Sequence, residues 1–368
     1  MLGVGLYSLS GVYGKKDPCG VERMLLKAVE AGVDYFDVAP LYGEAEKLTG
    51  RVLKPFRKQI KIATKCGISN RGKPDGSYGA IVDGCKASLK NLQTDYIDHF
   101  QVHFADPETP VFKTLQGLEE LKSQGLIRSY GLGHFSREKI DEFCQLGNPS
   151  SILFEVSPLN TVEYHKYRRF WREKGLSLIV MGVTGRGFLS GNFSEKTTFP
   201  AGDIRNRDPL FHPELGAWRL EVLEKLKSLG RKYEKTPIQI AINWVSQLPG
   251  VDRILVGPSS WEHLKENLGG LAWEIETIDK EDLNGFIQRK NLEKEKISRE
   301  KAKFLLGKTG AGFRDLLFVI ETLYSLDLIG EREAHKFFGK MVQNDGKKEI
   351  LEEVRISICD QYLEKLVR

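Results

Sequence analysis

The chain has 368 residues, enough for one large α/β domain with an appendage or for two ordinary domains. Its 55 basic and 50 acidic side chains leave a net charge of +5 spread along the sequence, which argues for a well-solvated protein and against a nucleic-acid-binding surface. No apolar run approaches the roughly 18 residues a membrane-spanning helix needs, and the start, MLGVGLYSLSGVYG, has neither a basic leader nor a cleavage pattern. Cys19, Cys66, Cys85, Cys144 and Cys359 are dispersed and never spaced C-x-x-C, so reduced, mostly buried thiols in a cytoplasmic protein are expected.

Strand-like and helix-like stretches then alternate. Strands are predicted at 2–9 (LGVGLYSL), 35–39 (YFDVA), 61–66 (KIATKC) and 96–104 (YIDHFQVHF), then at 127–134 (IRSYGLGH), 152–158 (ILFEVSP), 177–183 (SLIVMGV) and 253–257 (RILVG). Helical patterns separate them. VERMLLKAVEAG closes on Gly32, VFKTLQGLEELKSQG ends at Gly125, and TPIQIAINWVSQ opens with a Thr-Pro start. Each parallel return needs a crossover, so this alternation predicts a (β/α)8 TIM barrel, an α/β fold of typically about 250 residues. A doubly wound open sheet ranks lower, because no G-x-G-x-x-G opens a helix after the first strand.

The longest connection, residues 184–216, follows the seventh strand and is polar and punctuated by Gly and Pro. A loop of that length in a compact domain is expected to be functional, as a lid on the C-terminal face of the barrel. Residues 1–290 are accordingly assigned to the barrel and 291–368 to a helical C-terminal extension. The extension begins with the charge-rich NLEKEKISREKAK and continues through AGFRDLLFVIETLYSL, EREAHKFFGKMVQ and KKEILEEVRISICDQYLEKLVR. In the last of these Leu351, Val354, Ile358, Tyr362 and Leu366 form one apolar stripe at helical spacing, which must bury against the barrel or its own neighbours.

On a barrel, Asp37, Lys65 and His103 fall at the tips of the second, third and fourth strands, with Tyr42 in the loop just after the second. A buried carboxylate requires a partner, and Lys65 is the candidate for Asp37. An ammonium beside the Tyr42 phenol is expected to favour the phenolate and lower a pKa that is ordinarily near 10, while the carboxylate holds the ammonium in place. An imidazole alongside can orient a substrate oxygen. Together these groups suit protonation of a carbonyl oxygen. An isolated Asp–Lys pair is more often a plain ion pair, but four such residues on consecutive strand tips coincide at the face where function is expected. His99, four residues before His103 on the same strand face, is read as a barrel-interior residue.

These residues also carry a resemblance. YFDVAPLYG, IATKCG and DYIDHFQVHFADP resemble the three signature regions of the aldo-keto reductase superfamily, and IRSYGLGHFS, MGVTGRGFLSG, GDIRN, KTPIQIAINW and HLKENLGGL follow in family order. The resemblance covers about residues 2–290. It implies reversible reduction of a small-molecule aldehyde, ketone or sugar, with Tyr42 as general acid/base and Asp37, Lys65 and His103 completing a tetrad. It further implies NADP(H) bound in extended form across the barrel mouth, with NAD(H) as the alternative.

The departures from the family pattern cluster on the nicotinamide side. Gly133-His134 stand where most members carry the Ser-Asn that holds the carboxamide. Glu155 replaces a usual Gln, and Met181, followed by Gly182, replaces an aromatic residue that often stacks on the ring. A carboxylate at 155 is expected to favour the oxidised, cationic nicotinamide. Glu266 and Asn267 match the family's adenine-end pair, and Gly257, Ser259 and Ser260 form the loop that would meet a 2′-phosphate. There His263 and Lys265 replace the Arg or Lys common in NADP-preferring members. Arg186 and Arg205 on the long loop either grip cofactor phosphates or form loop salt bridges. Tyr7, Tyr13, Phe104 and Trp218 are candidates to line a substrate mouth. A second reading of the chain is a cofactor-sensing regulatory or binding subunit whose helical tail docks a partner protein.

Overall fold

The computed structural model describes residues 1–69, 72–193, 197–206, 208–211, 217–326, 328–343 and 347–367. Its centre is a closed parallel barrel in simple sequential order, β1-β2-β3-β4-β5-β6-β7-β8. The strands are β1 (Leu2–Gly5), β2 (Tyr35–Asp37), β3 (Lys61–Cys66) and β4 (Ile97–Phe104), followed by β5 (Ile127–His134), β6 (Ser151–Glu155), β7 (Ser177–Met181) and β8 (Val251–Val256). Closure is made by β8 against β1, where Val256 lies opposite Val4.

Helices cover the barrel between strands, and their starts follow local sequence rules. Asp17 caps Pro18–Glu30 by accepting from the Cys19 and Gly20 amides, and Thr236 with Gln239 forms a reciprocal capping box on Pro237–Ser246. The predicted strands 2–9, 152–158 and 177–183 each end sooner than their apolar character suggests. After Gly5 the Leu6 amide still bonds the Asp37 carbonyl, and then Tyr7–Ser10 curls into a 3-10 turn. β7 stops at Met181 because Gly182 adopts a left-handed conformation, φ +71°.

Alternation along the strands divides the barrel into an outer face under the helices and an inner face. Tyr35, Ala63, Leu153, Ile179 and Leu255 form an apolar layer with Met181 packed against it. His99 is buried between two hydroxyls, with Nδ1 and Nε2 each 2.8 Å from Ser129 Oγ and Ser151 Oγ respectively. Ser129 donates its own proton to the Asp98 carbonyl at 2.9 Å, so it accepts from His99 Nδ1–H, and Nε2 accepts from Ser151. This interior reading of His99 agrees with the sequence.

The chain divides into two compact units. One, Met1–Asn206 with Leu223–Asn284, contains the barrel; the other is Arg207–Val222 with Gly285–Arg368. The second has its own apolar core. Ala302, Leu305 and Leu306 from the helix Thr277–Gly307 join Leu316, Val319 and Leu323 from Phe313–Ser325, Phe337 and Met341 from Glu331–Gln343, and the whole stripe Leu351, Val354, Ile358, Tyr362 and Leu366 from Lys348–Val367. The stripe is therefore buried among its own neighbours, and the charge-rich run at 291–303 is helical. No helix among the described residues is long and apolar enough to cross a membrane. None of the five cysteines is disulfide-bonded.

Candidate active site

The barrel register brings the predicted polar residues to one end. Asp37 lies opposite Ala63 at the last pairing of β2, two residues before Lys65 on β3, and Lys65 pairs in register with Gln101, two residues before His103 on β4. A period of two then aims Asp37, Lys65 and His103 into the same mouth. Lys65 Nζ donates to Asp37 Oδ1 at 2.5 Å and to the Val38 carbonyl at 3.0 Å, and its side chain is only 1% exposed. The centroid of the Tyr42 ring is 4.9 Å from that ammonium. Tyr7 packs on the phenol edge-on at 5.1 Å, and the His103 ring lies 6.3 Å from it.

Burial and charge compete here. Burial acts against the Lys65 ammonium, but Asp37 and Tyr42 outweigh it and hold its pKa above the ordinary lysine value. Burial raises the Asp37 carboxyl and the Lys65 ammonium opposes that rise. The Tyr42 phenol departs from the sequence expectation. Lys65 does pull its pKa down, yet burial is the larger effect and the net direction is upward. His103 is driven down to about 2 by burial, with the positive charge of Lys65 adding to it, so it is neutral at ordinary pH. The reading from sequence missed the Val38 carbonyl as a Lys65 acceptor and missed Gln101, whose side-chain oxygen and nitrogen are both buried without a protein partner. The period-two run His99, Gln101, His103 was the available signal for the latter.

The neighbouring rim is built differently. β4 and β5 approach so closely that a Cβ at Gly133 would lie 2.3 Å from the His103 carbonyl oxygen. That approach accounts for glycine at 133, since serine does not fit this backbone. His134 is exposed and stacks on Phe104 at 5.0 Å, which stacks in turn on His103 at 4.6 Å. Glu155 ends β6 opposite Met181 and forms a two-pronged ion pair with Arg186, at 3.1 and 3.4 Å. Of the two open readings for Arg186, the loop salt bridge is therefore present, and the carboxylate at 155 is charge-compensated.

Arg205 is likewise paired within its loop. It grips the Asp203 carboxylate through two nitrogens and lies over the Phe199 ring at 4.3 Å and the Tyr13 ring at 5.3 Å. The Ile204 amide bonds the Val12 carbonyl, tying this part of the long connection to the segment after β1. Other parts of the predicted lid, Ser194–Lys196, Arg207 and His212–Gly216, lie outside the described residues. Trp218 is fully buried in the second unit under Lys294, so it does not line an open mouth.

After β8 comes a third group. Gly257 is exposed, and a Cβ there would meet only the Gly5 carbonyl at 3.7 Å, so a ligand can approach its backbone. Ser260 caps the helix Trp261–Leu268 by accepting from the His263 amide, and Ser259 Oγ sits 2.9 Å from His263 Nδ1. Lys265 is exposed, Glu266 half-buried and Asn267 buried on the same helix. Approachable backbone leading into a capped helix N-terminus suits a phosphate-bearing ligand, so these residues fit a dinucleotide.

Residues 1–288 match the profile of the Aldo/keto reductase family. The chain is also 30% identical over 309 residues to aldo-keto reductase YhdN of Bacillus subtilis, covering 78% of this chain and 89% of that one. The protein belongs to the aldo-keto reductase family. A second relative, at 27% identity over 69% of this chain and 83% of its own length, is the NADH-specific methylglyoxal reductase of Escherichia coli. Among solved structures, the glycerol dehydrogenase AKR11B4 of Gluconobacter oxydans aligns with a TM-score of 0.72 at 24% identity, over 78% of this chain and 91% of that one, and shares the fold. As an aldo-keto reductase, the chain is an oxidoreductase that works with a nicotinamide cofactor on carbonyl substrates.

Proposed function

We propose that this aldo-keto reductase reduces an aldehyde, ketone or sugar carbonyl with Tyr42 as the proton donor and NADPH as the preferred cofactor. The observation that carries the reading is the buried Lys65 ammonium, fixed by Asp37 and the Val38 carbonyl, beside the Tyr42 ring. The nicotinamide, when bound, supplies hydride to the carbonyl carbon. Burial keeps the Tyr42 phenol protonated at neutral pH, the form required to give a proton to the carbonyl oxygen. As that proton leaves, Lys65 stabilises the phenolate, and the enclosed site strengthens this charge–charge interaction. Neutral His103 is suited to orient the carbonyl oxygen by a hydrogen bond. In the oxidative direction the same groups take the proton from the alcohol.

Gly257, Ser259, Ser260 and His263, with Glu266 and Asn267 further along the helix, would hold the adenosine end and its phosphates. Gly133, His134, Glu155, Met181 and Gly182 would flank the nicotinamide. NAD(H) is the alternative cofactor, because no arginine stands in the loop before Trp261 and one relative is NADH-specific. The test mixes the purified chain with NADPH or NADH and a panel of aldehydes, ketoses and lactols while following reduced-nicotinamide absorbance. Tyr42→Phe is expected to lower turnover by about 10²–10⁴-fold while NADPH still quenches protein fluorescence. Wild-type turnover in that variant would end the assignment.

A further inference from the structure

Glu46 is a buried carboxyl group that the proton-transfer machinery does not use. It stands in the first turn of the helix Ala45–Leu53 and is 2% exposed. Its two oxygens serve different elements. Oε1 accepts from the Thr64 hydroxyl of β3 at 2.6 Å, and Oε2 accepts from the Asn91 amide of the helix Tyr78–Leu92 at 2.9 Å. A leucine would fill such a position without the cost of taking a carboxyl out of water, so the two bonds are a reason for its presence. Buried polar groups that are fully bonded fix one arrangement of the elements they join.

What those elements carry is the Tyr42–Lys65 group. Thr64 is fully buried and immediately precedes Lys65, on the opposite face of the same strand. Tyr42 lies four residues before Glu46, and its carbonyl accepts from the Ala45 amide at 3.2 Å, so the phenol-bearing loop is joined directly to the helix. One turn further on, a Cβ at Gly50 would lie 2.4 Å from the Leu92 carbonyl oxygen, so the two helices meet with no side chain between them. Lys65 is already fixed to β2 by Asp37 and to the Val38 carbonyl. The Thr64–Glu46 bond is the matching tie from β3 to the helix that continues the phenol-bearing loop.

We propose that Glu46 is a positioning residue for the proton transfer, holding the Tyr42 phenol, through Thr64, at its working distance from the Lys65 ammonium. The ring centroid and the ammonium are 4.9 Å apart in the tied arrangement. The proposal rests on Tyr42 being the proton donor. Loss of the tie lets the phenol drift from the ammonium that stabilises its conjugate base, which slows the proton step and leaves cofactor binding as it was. A displacement of about 1 Å is enough for a large loss of rate.

The experiment loads the full chain with NADPH or NADH, whichever supports turnover, and mixes it with the aldehyde it reduces fastest. Loss of reduced-nicotinamide absorbance is followed over a single turnover, in H2O and in D2O. Thr64→Val, which keeps the shape and removes the hydroxyl, is expected to slow this step by on the order of ten- to a hundredfold, raise the solvent isotope effect and leave cofactor affinity unchanged. Glu46→Leu is expected to give the same loss and the double variant no further loss, because both remove one bond. Thr64→Ser restores the hydroxyl and with it the rate. Asn91→Ala cuts the other bond and lowers the unfolding midpoint, while the rate stays at the wild-type value. An undiminished rate in Thr64→Val, an unchanged isotope effect, or an equal loss of rate in Asn91→Ala overturns the proposal. Tyr42→Phe run alongside separates the two readings. A full rate there, or no turnover by the wild-type chain, ends the role of Tyr42 and this proposal with it, whereas a slow Tyr42→Phe beside a fast Thr64→Val ends this proposal alone.

Discussion

The two sides of the barrel mouth handle charge in opposite ways. On the β2–β4 side, Asp37 and Lys65 are 5% and 1% exposed and their charges meet away from water. On the β6–β7 side, Glu155 and Arg186 keep a quarter to a third of their surface, 24% and 32%. A buried pair is held by the cost of breaking it, because either partner alone is an uncompensated charge in a poorly solvated place. A half-exposed pair is partly screened and can lose a member at small cost. Function on the first side is thus tied to folding, whereas the second side can be tuned.

The strongest way to break that contrast is to strip the dry side of one charge. Lys65→Met is expected to abolish detectable reduction and to destabilise the protein by about 3–5 kcal/mol, read from urea unfolding midpoints. Adding Asp37→Asn should restore most of the stability and none of the turnover. Equal stability losses for Arg186→Gln and Lys65→Met would erase the distinction between the two sides.

A smaller effect sharpens it through pH. His99, enclosed with Ser129 and Ser151, is pushed down to about 4 by burial first, with Lys65 and Arg253 assisting, from an ordinary value of 6.5. As pH falls through that interval, the unfolded chain takes up a proton that the folded chain refuses. The stability that neutral His99 contributes is complete above about 6.5 and declines by up to about 3 kcal/mol towards pH 4. Thermal midpoints measured against pH should fall less steeply for His99→Gln, whose amide can also bond the two hydroxyls. The remaining slope belongs to the other groups whose pKa the fold lowers, His103 and His134 among them, and parallel curves would remove His99 from the account.

The smallest effect is expected on the open side. Gly182→Ala places a methyl at φ +71° against Glu155, with an expected loss of about 1–2 kcal/mol in unfolding free energy. Unchanged stability would mean that this rim yields more readily than its backbone suggests.

Much of the dry side was legible in the sequence. Period-two alternation in YIDHFQVHF and the position of Lys65 at a strand tip were enough to bring Asp37, Lys65 and His103 to one end. The stripe Leu351–Leu366 was legible for the same reason, because periodicity is local. The direction of the Tyr42 shift was not, since it depends on how deeply the phenol is buried once the barrel closes, which long-range packing decides. The partner of Arg186 was equally hidden. It depends on a left-handed backbone at a residue other than glycine, which no propensity signals. Trp218 looked like a mouth residue from its neighbours in the chain, but its burial is decided by residues such as Lys294 far along the sequence.

The pinch between β4 and β5 at Gly133 has a consequence for how such a site can change over time. A methyl-bearing residue at that point collides with main chain, which no rotamer adjustment can relieve. A hydroxyl-bearing side chain at 133 is therefore not reached by a single substitution on this backbone. The two strands would have to part first, and Phe104 and His134, stacked across that seam, would have to let go. Substitution at 133 is thus coupled to the Phe104–His134 stack rather than independent of it.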